Sequence, residues 1–218
     1  MSILKPKVPL ALQELADFAS AAASCMTEES PITGIHVADQ TENERDFFKL
    51  EVSGAVFERC TFERCIFEKT SFYDCKFQNC NFSNSNLQDA YFERCQFQFC
   101  KCIGTNFHGS VLKHVAALQS NIQFADFGGT KLTNVLFRET DLTESSFAES
   151  SLKQTEFQNS RLIKINFFKT PLAGIDFAKN EFAGPVLSSP PFELQGAKVN
   201  AAQAVDLARL LGVIVEDL

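Results

Sequence analysis

The 218-residue chain carries 20 Lys and Arg against 27 Asp and Glu, a net charge of −7 at pH 7. That balance argues against direct nucleic-acid binding, which needs a basic face to displace counterions. With 45% apolar residues the chain can hold one sizeable core, and with neither a run of 18 apolar residues nor a basic-then-apolar leader it reads as a cytoplasmic protein without a membrane span.

Residues 1–46 lack a repeating frame. After Lys5-Pro6-Lys7 and Pro9, the segment Leu10 to Met26 places Leu12, Leu15, Ala16, Ala19, Ala22 and Ala23 at helical spacing and predicts an N-terminal helix. Thr27 to Asn43 is a polar connector containing Pro31 and Gly34, and Phe47-Phe48 lead into a long periodic stretch.

From Val52 to Phe192, every fifth residue is large and apolar with few exceptions. Of 29 such sites, 17 are Phe and eight are Leu, and only Val52, Cys102, Ala117 and Ile122 differ. A second frame two residues earlier is mostly Ala, Cys, Ser, Thr or Val, as in Ala55-Val-Phe-Glu-Arg and Cys60-Thr-Phe-Glu-Arg. A helix needs a period near 3.6 and a strand a period of 2, so a period of five requires the chain to turn a corner once per unit.

The unit of small, any, Phe, polar, polar resembles the pentapeptide-repeat family. The resemblance implies an all-β solenoid, a right-handed quadrilateral β-helix in which four units make one coil and residues 20 apart stack. Twenty-nine units imply about seven coils. The Phe/Leu site and the small site point inward, and stacking buries a core that no single unit could bury. The implied division is a helical cap and connector over 1–46, the β-helix over 47–192 and a separate tail over 193–218. An uncovered end would expose unpaired backbone, so the N-terminal helix reads as a cap, with a regulatory arm as the alternative.

Within the repeat, Cys60, Cys65, Cys75, Cys80, Cys95 and Cys100 fill the small frame and Cys102 the large one, so they read as buried thiols, and no CxxC pair suggests a metal. Between 99 and 124 the outward positions turn apolar, at Phe99, Ile103, Val111, Leu118 and Phe124. Such a surface marks either a partner contact or a site covered by the N-terminal connector. Asp126, Glu139, Asp141, Glu144, Glu149 and Glu156 then make the outward positions acidic, before Arg161, Lys164, Lys169 and Lys179 reverse the balance. Pro185, Pro190 and Pro191 signal the end of the frame.

In the tail, Asn200 and Gln203 form a capping box, Gly212 ends the helix, and Val213 to Val215 read as a short strand. The run from Gln203-Ala204 through Leu207-Ala208 to Leu211-Gly212-Val213 resembles the C-terminal module through which Qnr-type quinolone-resistance proteins dimerise. It implies a homodimer interface at Leu207, Leu211, Val213 and Val215. The same resemblance implies a partner, a type II topoisomerase (DNA gyrase or topoisomerase IV), bound by acidic DNA mimicry and protected from quinolones or related poisons. The unbroken register leaves no room for the loop insertions that some Qnr proteins carry. The other reading is an interaction scaffold that uses the Phe99, Ile103, Leu118 and Phe124 surface on an unrelated partner. His36, His108 and His114 accompany no nucleophile elbow, phosphate loop or metal-ligand spacing, so no catalytic residue, metal or cofactor is expected.

Overall fold

The corner that a five-residue period demands is a residue in the left-handed conformation. From Asp39 to Lys169 such residues recur at five-residue intervals with φ near +55°, and none of the non-glycine examples is Val, Ile or Thr, the types that conformation penalises most. Between corners run short strands paired in parallel, with Val52 opposite Phe72 and Phe72 opposite Phe92. Four corners per 20 residues give a parallel β-solenoid with four faces.

The computed structural model describes residues 3–210 and 212–216, and its solenoid has about nine turns rather than seven. The ladder begins well before residue 47. Ile32–Thr33 pairs with Val52 and Ser53, and Ile35–Ala38 pairs with Val56 to Glu58. Ile32, Val37 and Phe47 already occupy the inward frame, and Glu42 at the fourth site hides it from a sequence reading. At the far end an Asp176–Lys198 bridge adds a turn. Nine turns at a strand spacing of about 4.8 Å make a rod about 43 Å long.

The core is four columns of stacked side chains, one per face. The first face holds Ile32, Val52, Phe72, Phe92, Leu112, Leu132, Leu152 and Leu172. The second holds Val37, Phe57, Phe77, Phe97, Ala117, Phe137, Phe157 and Phe177. The third runs from Phe62 to Phe182 and the fourth from Phe47 to Leu187. Along a column the rings stack, as for Phe107 on Phe127 at 4.6 Å, and across a corner they meet edge to face, as for Phe72 and Phe77 at 5.4 Å. Small-frame side chains donate to the carbonyl 23 residues earlier. Thr70 Oγ1 donates to Phe47 at 2.8 Å, Ser150 Oγ to Phe127 at 2.6 Å and Cys95 Sγ to Phe72 at 3.4 Å. This is why Cys, Ser and Thr interchange there, a role that reading the cysteines as small apolar residues misses. Burial pushes the Cys102 thiol up to about 12.

The first helix, α1, spans Phe18–Glu28 rather than Leu10–Met26. Asp17 caps it, its carboxylate accepting from the Ser20 amide at 2.8 Å. Upstream, Gln13 and Glu14 pair with Ile35 and His36, so strand pairing displaces the helical periodicity there. Phe18 is buried with its ring 5.2 Å from Phe47, 5.3 Å from Phe57 and 5.6 Å from Phe62. Residues 3–12 form an arm along the corner between the first and second faces. Pro9 packs on Gly54, the Lys7 amide donates to Asp74 at 2.9 Å, and the Leu4 amide donates to His114 Nδ1 at 3.3 Å.

The last turn carries two extra residues, since Asp176 pairs 22 positions on, with Lys198. The shift throws Phe192 outward, 54% exposed despite its place in the frame, and brings Leu194 against the core. The second helix, α2, spans Ala201–Leu210 and has the expected capping box. The Gln203 amide donates to Asn200 Oδ1 and the Asn200 amide to Gln203 Oε1, both at 2.9 Å. Gly212 is left-handed, with φ of 78°. Val213 to Val215 form no strand, because no chain segment lies beside them to pair with.

Candidate partner-binding surfaces

The six acids do not share a face. In a 20-residue turn, residues five apart point about a quarter-turn away from each other, so a run from 126 to 156 wraps one and a half times round the rod. Asp126 lies on the fourth face, Asp141 on the third and Glu156 on the second, while Glu139, Glu144 and Glu149 occupy three corners.

Three of these acids also face cations one turn on. Lys164 lies 3.4 Å from Glu144, Lys169 lies 3.0 Å from Glu149, and Arg161 lies 3.4 Å from Asp141. The same device recurs at the other end of the rod, where Arg59 meets Asp39 at 2.6 Å and Arg94 meets Asp74 at 2.7 Å. Burial raises the Asp74 pKa, but the Arg94 guanidinium and the Lys7 amide outweigh it and hold the carboxyl below its ordinary value. Asp126 has His108 at 3.7 Å, and Glu139 makes no ion pair among the described residues. Exposed pairs of this kind add little stability, but they do reduce the free negative field that the acids were expected to provide.

Phe99 and Phe124 are 48% and 54% exposed, while Ile103 and Leu118 are half-buried. Phe99 and Leu118 adjoin, the Phe99 amide donating to the Leu118 carbonyl at 3.1 Å. Phe124 and Ile103 belong to the next corner, beyond Lys101 and Asn121. The sequence reading missed two members of the Phe99 side. Ala116 and Leu136 are cross-strand neighbours on the second face, both outward and half-buried. The N-terminal arm does not cover either group, since it follows the Gly54, Asp74, His114 corner.

At the C-terminal end, Leu207 turns inward against the core and is no free contact. Leu211 lies outside the described residues. Val213 is 51% exposed, Ile214 is 88% exposed, and Val215 is half-buried.

The histidines stand apart. His36 Nδ1 lies 2.8 Å from Glu14, a hydrogen bond that raises its pKa. Among the described residues no group of three or more His, Cys, Asp or Glu converges to hold a metal, and no helix is long and apolar enough to cross a membrane.

The family model for the pentapeptide repeat region matches residues 55–127 and 90–167, together more than half of the chain. The chain belongs to the pentapeptide repeat family. Among solved structures, a trypsin-treated form of QnrB1, a plasmid-mediated fluoroquinolone resistance protein, is 21% identical, with 85% of this chain and 93% of that chain covered at a TM-score of 0.54. HetL, a pentapeptide repeat protein involved in heterocyst differentiation regulation in the cyanobacterium Nostoc, is 13% identical over 81% of this chain and 92% of that one, at a TM-score of 0.30. No curated protein matches the sequence.

Proposed function

We propose that this pentapeptide-repeat protein is a non-catalytic binding rod whose partner is a type II topoisomerase, DNA gyrase or topoisomerase IV, and that it shields that enzyme from quinolones or related poisons. The observation that carries the reading is a rigid four-sided rod about nine turns long with a net charge of −7, a body suited to a basic DNA-binding groove and unsuited to DNA itself. The protein acts in the cytoplasm as a homodimer joined at its C-terminal end.

The test is a gyrase supercoiling assay with a quinolone present. Added protein should restore supercoiling. Asp141→Asn, Glu144→Gln and Glu149→Gln together remove three negative charges, taking −7 to −4. They also free Arg161, Lys164 and Lys169, so protection should fall, and in the native protein it should weaken with salt as the Debye length shrinks from about 10 Å at 0.1 M to about 3 Å at 1 M.

A second reading rests on backbone conformation. Phe99 and Phe124 hold φ of 54° and 59° while their rings stay exposed, so they bear the strain of a bulky left-handed residue without the return of burial. Such residues suit an apolar contact. Asn tolerates the same φ, so Phe99→Asn with Phe124→Asn should fold. If that variant loses protection while the triple charge variant keeps it, apolar contact and not charge mimicry binds the enzyme. If the native protein gives no protection and captures no topoisomerase, the rod is a scaffold for another partner.

A further inference from the structure

Between the seventh and eighth turns the backbone ladder opens on the first and second faces. Elsewhere on these faces, corner amides donate to the next turn, as His114 does to Thr133 at 3.0 Å, Gln119 to Arg138 at 2.9 Å and Glu139 to Gln158 at 2.8 Å. The equivalent bonds from Gln154 to Ala173 and from Asn159 to Ala178 are missing. Among the described residues no backbone hydrogen bond joins 151–159 to 171–179.

The cause is in the sequence. Val111, Lys131 and Ser151 each donate an amide to the turn before, at 2.9, 3.0 and 2.9 Å, and the next residue in that column is Pro171, which has no N–H to give. The third and fourth faces stay closed, with Lys164 donating to Ala183 at 2.8 Å and Phe167 to Val186 at 2.9 Å. The gap is therefore a wedge. Phe157 and Phe177 lie 5.8 Å apart, against 5.3 Å for Phe137 and Phe157.

The wedge is a cleft of about 590 Å³ lined by Thr155, Glu156, Gln158, Asn159, Asp176 and Lys179, among others. The strand Ser151–Gln158 pairs along one side with Lys131–Arg138 and has no strand on its other side. The buried Thr155 hydroxyl at this edge has no hydrogen-bond partner.

We propose that the cleft receives an extended basic segment of a partner protein, which adds to Ser151–Gln158 as a further strand. The amides that an intact ladder would use here, those of Leu152, Gln154, Phe157 and Asn159, are available to an incoming backbone, and an unpaired strand edge is a template for such addition. Charge selects the occupant. Stacked outward positions elsewhere in the rod carry opposite signs, as Arg94 on Asp74 and Lys169 on Glu149, whereas the two lips of the cleft set Glu156 over Asp176. Two carboxylates at one stacked position favour a Lys or Arg between them. Lys179 at the corner end places that cation toward the carboxylates and away from itself. The inference does not depend on which enzyme the rod binds, because its test uses synthetic peptides.

Amide hydrogen exchange on the full-length protein is measured first. Leu152, Gln154, Phe157 and Asn159 should exchange at least about tenfold faster than Leu132, Asn134, Phe137 and Glu139, one turn earlier. A blocked heptapeptide of alternating Lys and Val should then protect those four amides. Methylating its alternate backbone nitrogens should abolish binding. A Glu-Val peptide, or Glu156→Gln with Asp176→Asn against the Lys-Val peptide, should bind at least about tenfold more weakly, the loss expected for a charge-assisted contact. Pro171→Ser restores the missing donor and should close the cleft to the peptide. If that variant fails to fold, the peptide series on the native protein decides. The proposal is overturned if the four amides are already as protected as those one turn earlier, or if methylated or acidic peptides bind as well. It is equally overturned if protection appears with protein concentration alone, which would mean that a second copy fills the cleft.

Discussion

At the residue scale this protein separates two jobs that most folds combine. Large side chains face inward every fifth position and fix the core, while the residue two places on fixes the corner through a positive φ. Phe137 illustrates the first job. It is buried with rings 6.0, 5.9 and 5.3 Å away on Phe127, Phe147 and Phe157. Phe137→Ala leaves a cavity between turns and should cost about 3 to 5 kcal/mol in urea unfolding, whereas exposed Lys131→Ala should stay within about 0.5 kcal/mol. Equal losses would mean that the inward register is misassigned. That register was legible because burial repeats along the chain with a single period. The partners of outward side chains were not, because Glu144 finds Lys164 and Asp126 finds His108 only once the turn length and corner geometry are known. Leu136 went unnoticed because the inward Phe137 beside it carries the pattern.

At the element scale the two ends depart most from what the chain suggests. The Asn200–Gln203 box was readable because its two bonds are local. The 22-residue last turn was not, since its register depends on how the chain passes Pro190 and Pro191. Glu193 holds that turn in place. It is fully buried, and its Oε1 accepts from the Lys169 amide at 2.8 Å and from Ser188 N–H and Oγ–H at 3.0 and 2.5 Å. Burial alone would raise its pKa, but these donors outweigh it and hold the carboxyl below its ordinary value. A lowered folded pKa contributes stability that is fully present above the unfolded value of about 4.3 and is lost as pH falls through the folded value. Glu193→Gln keeps an acceptor but removes the charge, so it should cost about 1 to 3 kcal/mol at pH 7. Its thermal midpoint should fall less steeply with acid below about pH 4.3 than that of the native protein. Parallel pH profiles for the two proteins would show that the carboxylate does not fasten the last turn.

At the scale of the whole molecule the rod has two unlike ends. Phe18 and Ala22 of α1 are buried against the first turn, and Gln203 of α2 donates to the carbonyls of Phe177 and Asn180 at 3.0 and 2.8 Å, so both helices help to close the core. Only the C-terminal end then leaves Val186, Phe192, Leu210, Val213 and Ile214 exposed together in one region of the chain. Apolar area beyond what closure uses is what a second copy would bury, and a two-fold contact needs only one such patch per subunit. A dimer made this way carries a net charge of −14, twice −7, along a rod twice as long. Ile214 separates the two roles of the tail, because at 88% exposure it contributes almost nothing to the single chain. Ile214→Asp should therefore leave the melting curve of the isolated subunit unchanged while light scattering at micromolar concentration shows the mass fall from dimer to monomer. Truncation before Asn200 should do worse, giving monomer or aggregate, because it also removes the bonds from Gln203 that close the core. If the native protein already scatters as a monomer at that concentration, the tail serves only to end the solenoid. The rod would then have to act as a single 24.3 kDa subunit, with half the length and half the charge to present to a basic groove.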